Sequence, residues 1–226
     1  MAVIRLDSDE RRKAIVTAAV PLFARKGFAG TTTRELAEVA GISEALLFRH
    51  FPSKQLLYRE ILQLGCEGDP ALERLATLQP STAALNCMIR FMVRHFLLGD
   101  EIERTELDSR LRLVLHSFLE DGDYARLLFE TVSDRIMPLF EASLDAAVAA
   151  GDIMPLTASP KNLFWLAQHV AAMAAFGALP GSVCYPYEGT LDELVEEAST
   201  FILRGIGMSD AAIAAGAGAG VEAAAD

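Results

Sequence analysis

Residues 12–57 read RKAIVTAAVPLFARKGFAGTTTRELAEVAGISEALLFRHFPSKQLL, and this stretch decides the fold. Within it, Thr32-Thr33-Arg34-Glu35 has the form of a capping box, with Thr32 as N-cap and Glu35 reaching back. A helix is therefore expected from about Thr33 to Ala40. Gly41 permits a tight turn, Ile42 plugs the space between two helices, and Ser43 can cap a further helix over Glu44–His50. Ala37 is small enough to let that helix approach closely. Leu47 points inward with Phe51 packed behind it, and Pro52-Ser53-Lys54 breaks the chain before a fourth helix carrying Leu56, Leu57, Ile61 and Leu64. A short helix with a polar edge, held at a fixed angle by a second helix, can enter the major groove of DNA.

Upstream, Ile15, Ala18, Ala19, Leu22 and Phe23 recur at helical spacing, so a first helix is expected over about Asp9–Lys26. Pro21 should bend it or remove a backbone hydrogen bond. Arg25 and Lys26 suit the negative end of its dipole, and Gly27 the residue after it. Residues 1–7 read as a short flexible arm. Downstream of a boundary at Gly65–Pro70, helices are expected near 71–78, 81–98, 103–120, 124–150, 160–179 and 190–205. Ser81 and Ser159 serve as caps, and Pro160 takes the first helical position. Residues 208–226, ending GAGAGVEAAAD, are low in complexity and read as a flexible tail. The fold class is therefore all-α: a helix-turn-helix head over 1–64, a helical body over 65–207, and the tail.

Composition bounds the function. The chain has 226 residues, 52% of them hydrophobic, which excludes a largely disordered polymer. The net charge of −11 argues at first against a nucleic-acid partner. Yet residues 1–60 carry ten Lys/Arg against seven Asp/Glu, a net of +3, while residues 61–226 carry ten against 24, a net of −14. DNA attracts the first part and repels the second, which would orient the molecule on a duplex. The three cysteines, Cys66, Cys87 and Cys184, are odd in number and far apart, so reduced thiols in a cytoplasmic protein are expected. The N-terminus has no apolar stretch suited to a signal peptide, and the apolar run Leu163–Leu179 is interrupted by Gln168 and His169, as suits a buried helix rather than a membrane span.

The segment GFAGTTTRELAEVAGISEALLFRHFPSK resembles the signature of TetR-family transcriptional regulators, and the match covers residues 10–60. The resemblance implies a homodimer with two helix-turn-helix heads. The last two long helices, about 160–179 and 190–205, would pair with those of the partner. It also implies a small-molecule effector held in the body and double-stranded operator DNA as partner. The ligand would change the separation of the recognition helices, so that half-sites about one helical turn apart no longer fit both heads. On this reading the chain is a repressor that the effector releases.

Residue by residue, the resemblance and groove chemistry together assign the DNA face to Thr32, Thr33, Arg34, Ser43, Glu44, Leu46, Phe48, His50 and Lys54. Thr32 suits a phosphate beside free backbone N–H groups. Arg34 suits a phosphate or a guanine edge, Glu44 a cytosine amino group, and Leu46 a thymine methyl. His50 and Lys54 match phosphate-contact positions, with Lys54 as the principal anchor. Phe48 replaces the family's commoner Tyr and so lacks a hydroxyl for a phosphate. Ala45 replaces a frequent Gly, also small.

For the effector, the rare polar and aromatic residues on apolar helices are the candidates: Asn86, Phe91, His95, Arg112, His116, Phe129, Trp165, Gln168 and His169. Trp165, Gln168 and His169 share one helix face, which suits the dimer seam equally well. No HExxH, GxSxG, phosphate loop or GxGxxG is present, so no enzyme and no metal or organic cofactor is expected. The alternative from another class is a helical-bundle carrier or scaffold with no DNA-binding role.

Overall fold

The computed structural model describes residues 7–66, 70–99, 104–155, 157–179 and 184–217. The arm at 1–7, the boundary at 65–70, the connector at 181–189 and the end of the tail lie wholly or partly outside those residues. The described residues form helices α1 (Ser8–Lys26), α2 (Thr33–Val39), α3 (Glu44–His50), α4 (Lys54–Cys66), α5 (Pro70–Ala76), α6 (Thr82–Leu97), α7 (Arg104–Leu119), α8 (Asp123–Ala150), α9 (Pro160–Phe176), α10 (Leu191–Ile206) and α11 (Asp210–Ala215). Their only β feature is an isolated antiparallel bridge between Ile153 and Met208. The fold is all-α, as the periodicity requires.

Two compact units emerge. The first comprises residues 1–68 and 108–130, the second residues 69–107 and 131–226. The end of α7 and the start of α8 thus belong with α1–α4, an association no local sequence pattern announces. In the first unit α1 buries Ile15, Val16, Ala19, Leu22, Phe23 and Ala24, and stays one helix through the exposed Pro21. Phe23, Phe28, Tyr58 and Tyr124 form a chain of ring contacts with centroids 5.0–6.3 Å apart. Gly27, at φ 71°, is pressed against the end of α7: a Cβ there would lie 2.6 Å from Glu120 Oε1 and 2.9 Å from His116 Nδ1. The Ala29 N–H donates to the same Glu120 oxygen at 3.3 Å.

In the second unit α6 packs against both α9 and α10, and α9 against α10. Every residue from Ala84 to Arg90 is buried, so this stretch of α6 is enclosed on all sides. Phe140 of α8 meets Phe164 of α9 edge to face at 5.3 Å. Cys87 lies in this interior, where burial pushes its thiol upward, while Cys184 is exposed; both are free thiols.

The expectation of a flexible segment from residue 208 is corrected over its first ten residues. Met208, Ala212 and Ile213 are buried in the core. Gly207 ends α10 in the left-handed conformation, and the Ser209 side chain caps α11. Asn86 then fastens the helix: its amide donates to Ala212 O at 3.1 Å and Ile213 O at 3.3 Å, while its oxygen accepts from Arg90 Nε at 2.7 Å. Gly216 sits so close that a Cβ would lie 2.3 Å from the Asn86 amide. The low-complexity pattern concealed this because the anchor lies far away in sequence, on α6.

Asn86→Ala should therefore lower stability by about 2 kcal/mol, since it leaves buried partners unsatisfied. It should also speed amide exchange across α11. Exchange and melting temperature equal to the parent's would show that α11 is held by apolar contacts alone.

Candidate nucleic-acid interface

The geometry of α2 and α3 follows from their caps. The Thr32 side chain accepts from the Glu35 backbone N–H, and Glu35 accepts from the Thr32 N–H at 3.1 Å and its hydroxyl at 2.9 Å. Lys26 at the end of α1 pairs with the other Glu35 oxygen. The Lys26 ammonium and the Thr32 donors hold the Glu35 carboxyl down at about 2. The expected box is present, and it ties α1 to the start of α2. Ser43 caps α3 by accepting from the Leu46 N–H at 3.2 Å. A cap of this kind contributes about 1 kcal/mol, enough to matter for a seven-residue helix.

Several expected contact residues also hold the head together. The Thr33 hydroxyl donates to Glu44 Oε2 at 3.3 Å, bridging α2 to α3. Leu47 and Phe51 are buried as the pattern requires. Thr32, Arg34, Ser43 and Phe48 are exposed, and Thr33, Glu44, Leu46 and His50 are half-buried. Phe48 keeps 43% of its surface open.

Lys54 departs most from expectation. Its ammonium donates to Phe28 O at 2.7 Å and Thr31 O at 2.8 Å, and lies 4.1 Å from the centre of the Phe28 ring. Desolvation lowers its pKa. The side chain braces the loop between α1 and α2 instead of standing free at the surface. The motif singles the position out, and the charge is turned toward the chain's own carbonyls, which lie more than twenty residues upstream.

Arg12 was not among the expected residues. It donates to His50 O at 2.6 Å and to both Glu60 oxygens at 2.7 and 2.8 Å, and it stacks over Phe51 at 4.2 Å. It thereby fixes the end of α3 against α1 and α4. No local signal could reveal this, because the Glu60 partner is 48 residues away. Arg49 was likewise not among the expected residues. It is exposed one turn beyond Ala45 on the same outward face of α3, and that spacing was readable.

The effector candidates scatter. Arg112, His116 and Phe129 fall in the first unit, where His116 abuts Gly27 and Phe129 lies 6.0 Å from Phe118. Asn86 is spent on Arg90 and α11. His169 is exposed on α9. In the second unit Phe91 stacks with His95 at 5.7 Å, and Phe91 and Trp165 pack against the core while partly open. Gln168 is buried, and its side-chain oxygen lacks a partner among the described residues. No cluster of His, Cys, Asp or Glu able to hold a metal occurs among the described residues, and no described helix is long and apolar enough to cross a membrane.

Residues 15–61 match the family described as bacterial regulatory proteins, tetR family. The HTH-type transcriptional regulator RutR of Escherichia coli K12 is 43% identical over 53 residues, which are 24% of this chain and 25% of that protein. The alignment thus spans about a quarter of the relative's length. A tetR-family regulatory protein from Rhodococcus RHA1 shares the fold with a TM-score of 0.65 at 19% identity, over 89% of this chain and 99% of that one. AibR, solved in complex with isovaleryl coenzyme A and operator DNA, gives a TM-score of 0.63 at 19% identity, over 88% of this chain and all of that one. The sequence match falls on the capped α2–α3 pair, so residues 15–61 form a DNA-binding head of the kind found in bacterial regulatory proteins of the tetR family, and the likeness of fold extends along most of the chain.

Proposed function

We propose that this chain is a ligand-responsive, DNA-binding transcriptional regulator, a cytoplasmic repressor that releases its operator when a small molecule binds the body. The observation that carries this reading is the exposed edge of α3, held at a fixed angle by α2 through two capped N-termini and the Thr33–Glu44 bond. A carrier that never met DNA would have no use for this edge. In this reading Thr32, Arg34 and His50 contact phosphates. Ser43, Glu44, Leu46 and Phe48 lie along the groove, with Thr33 positioning Glu44. Lys54 acts by holding the α1–α2 loop.

The chain acts as a homodimer through α9 and α10. Leu166, Val170 and Met173 recur at i, i+4 and i+7 on the outside of α9, with Leu166 and Met173 each 60% exposed. Phe201 of α10 is 68% exposed and borders a groove of about 630 Å³ with Glu196, Thr200 and Arg204. Exposed apolar stripes on helices whose other faces are buried mark an association surface. Phe91, His95, Trp165 and Gln168 form the proposed effector-facing set, and the AibR complex offers a precedent for an effector and operator DNA on one chain.

The test is selection of binding sites from a randomised duplex pool by the purified full chain. A palindromic site with half-sites about one helical turn apart is expected, with affinity falling steeply as salt rises. Arg34→Ala and His50→Ala should each weaken binding across sequences and reduce the salt slope by about 1. Failure to enrich any site, or full affinity in both variants, would sink the reading.

A further inference from the structure

Between Glu44 and Arg49 the open surface of α3 is apolar, and its start is the part of a recognition helix that meets base edges. Leu47 is buried, which leaves Ala45, Leu46, Phe48 and Arg49 facing away from the head. The two polar side chains at the helix start each spend part of their hydrogen-bonding capacity within the head. The Ser43 hydroxyl caps the Leu46 N–H at 3.2 Å, and Glu44 accepts from Thr33 at 3.3 Å. Arg49 and His50 sit in the last turn. What this helix start offers is the half-buried Leu46 and the exposed Ala45, with the exposed Phe48 one turn on.

The major groove presents one apolar group to such an edge, the 5-methyl of thymine. We infer that the head selects its half-site through apolar contact between Leu46, flanked by Ala45, and thymine methyl groups. This rests on the proposed insertion of α3 into the groove. The net charge of +3 over residues 1–60 supplies the general attraction to the duplex. The methyl contacts supply the choice of sequence. Glu44, held back by Thr33, discourages approach of a misplaced phosphate and keeps the register.

The selected site provides the test. Each thymine of a half-site is replaced by deoxyuridine, which removes the methyl and leaves base pairing intact. At one or two positions affinity should fall about fourfold per methyl, the worth of one buried carbon, and about sixteenfold when the symmetric pair is replaced. Leu46→Ala, a change on a half-buried helix edge, should bind the thymine duplex more weakly yet bind thymine and uracil duplexes equally. Circular dichroism of the variant checks that the helices are retained. Binding that ignores uracil at every thymine, or a thymine preference that survives Leu46→Ala, overturns the inference while leaving DNA binding established. Absence of any selected site overturns the reading beneath it instead.

Discussion

Phe51→Ala is expected to destabilise the N-terminal unit by about 3–5 kcal/mol, the usual cost of emptying a buried phenylalanine site. The ring is 1% exposed and closes the core behind α3. It is also the platform for Arg12, whose guanidinium lies 4.2 Å above it while donating to His50 O and Glu60. Removing the ring therefore leaves a void and frees the group that fixes the end of α3. The void dominates. Arg12 and Glu60 are both partly exposed, so their pair alone is worth about 1 kcal/mol or less, and Arg12→Ala should cost little more than that. Against a total stability of about 5–15 kcal/mol, the Phe51 loss is a large fraction. Urea denaturation of the two variants measures the difference; equal, small losses would mean that the ring does not fill the core as described.

Lys54→Met should lower stability by about 2–3 kcal/mol and weaken DNA binding through the fold rather than through a lost phosphate contact. Methionine keeps an unbranched stem but cannot donate to Phe28 O and Thr31 O. Those carbonyls cap a loop in which Thr31 is buried and donates its own hydroxyl to Gly27 O at 2.7 Å. The ammonium is desolvated there, so its charge is sustained by the carbonyls and the Phe28 ring. A phosphate anchor and a loop brace make different predictions. Loss of an anchor reduces the salt slope of binding by about 1 at unchanged melting temperature. Loss of a brace lowers the melting temperature and leaves the slope of the remaining binding as it was. The second outcome is expected, and the first would return Lys54 to the DNA surface.

The two results bear on why motifs of this kind are readable. Caps, turns and buried positions are local: Thr32 with Glu35, Ser43 with Leu46, and Leu47 with Phe51 lie within four residues of each other, so spacing and residue type suffice to find them. Lys54 was singled out by the same motif, but its role depends on carbonyls in another part of the chain. The effector candidates were the least legible. Rarity of residue type placed Asn86, Arg112, His116 and Phe129 in one imagined pocket, whereas Asn86 is consumed by α11 and the other three fall in the first unit.

The sequence by itself determined the all-α class, the bounds of the helices it proposed to within two residues except at the end of α9, the capped α2–α3 pair and the resemblance to the tetR family over that head. Each of these follows from interactions between residues a few positions apart. The tertiary structure decided which charges are free and which are spent. It turned Lys54 inward, brought Arg12 to Glu60, added residues 108–130 to the first unit and ordered α11 on Asn86. The physical reason is shared: a buried carbonyl, amide or charge must find a partner, and that partner is chosen by proximity in space, which spacing along the chain does not encode.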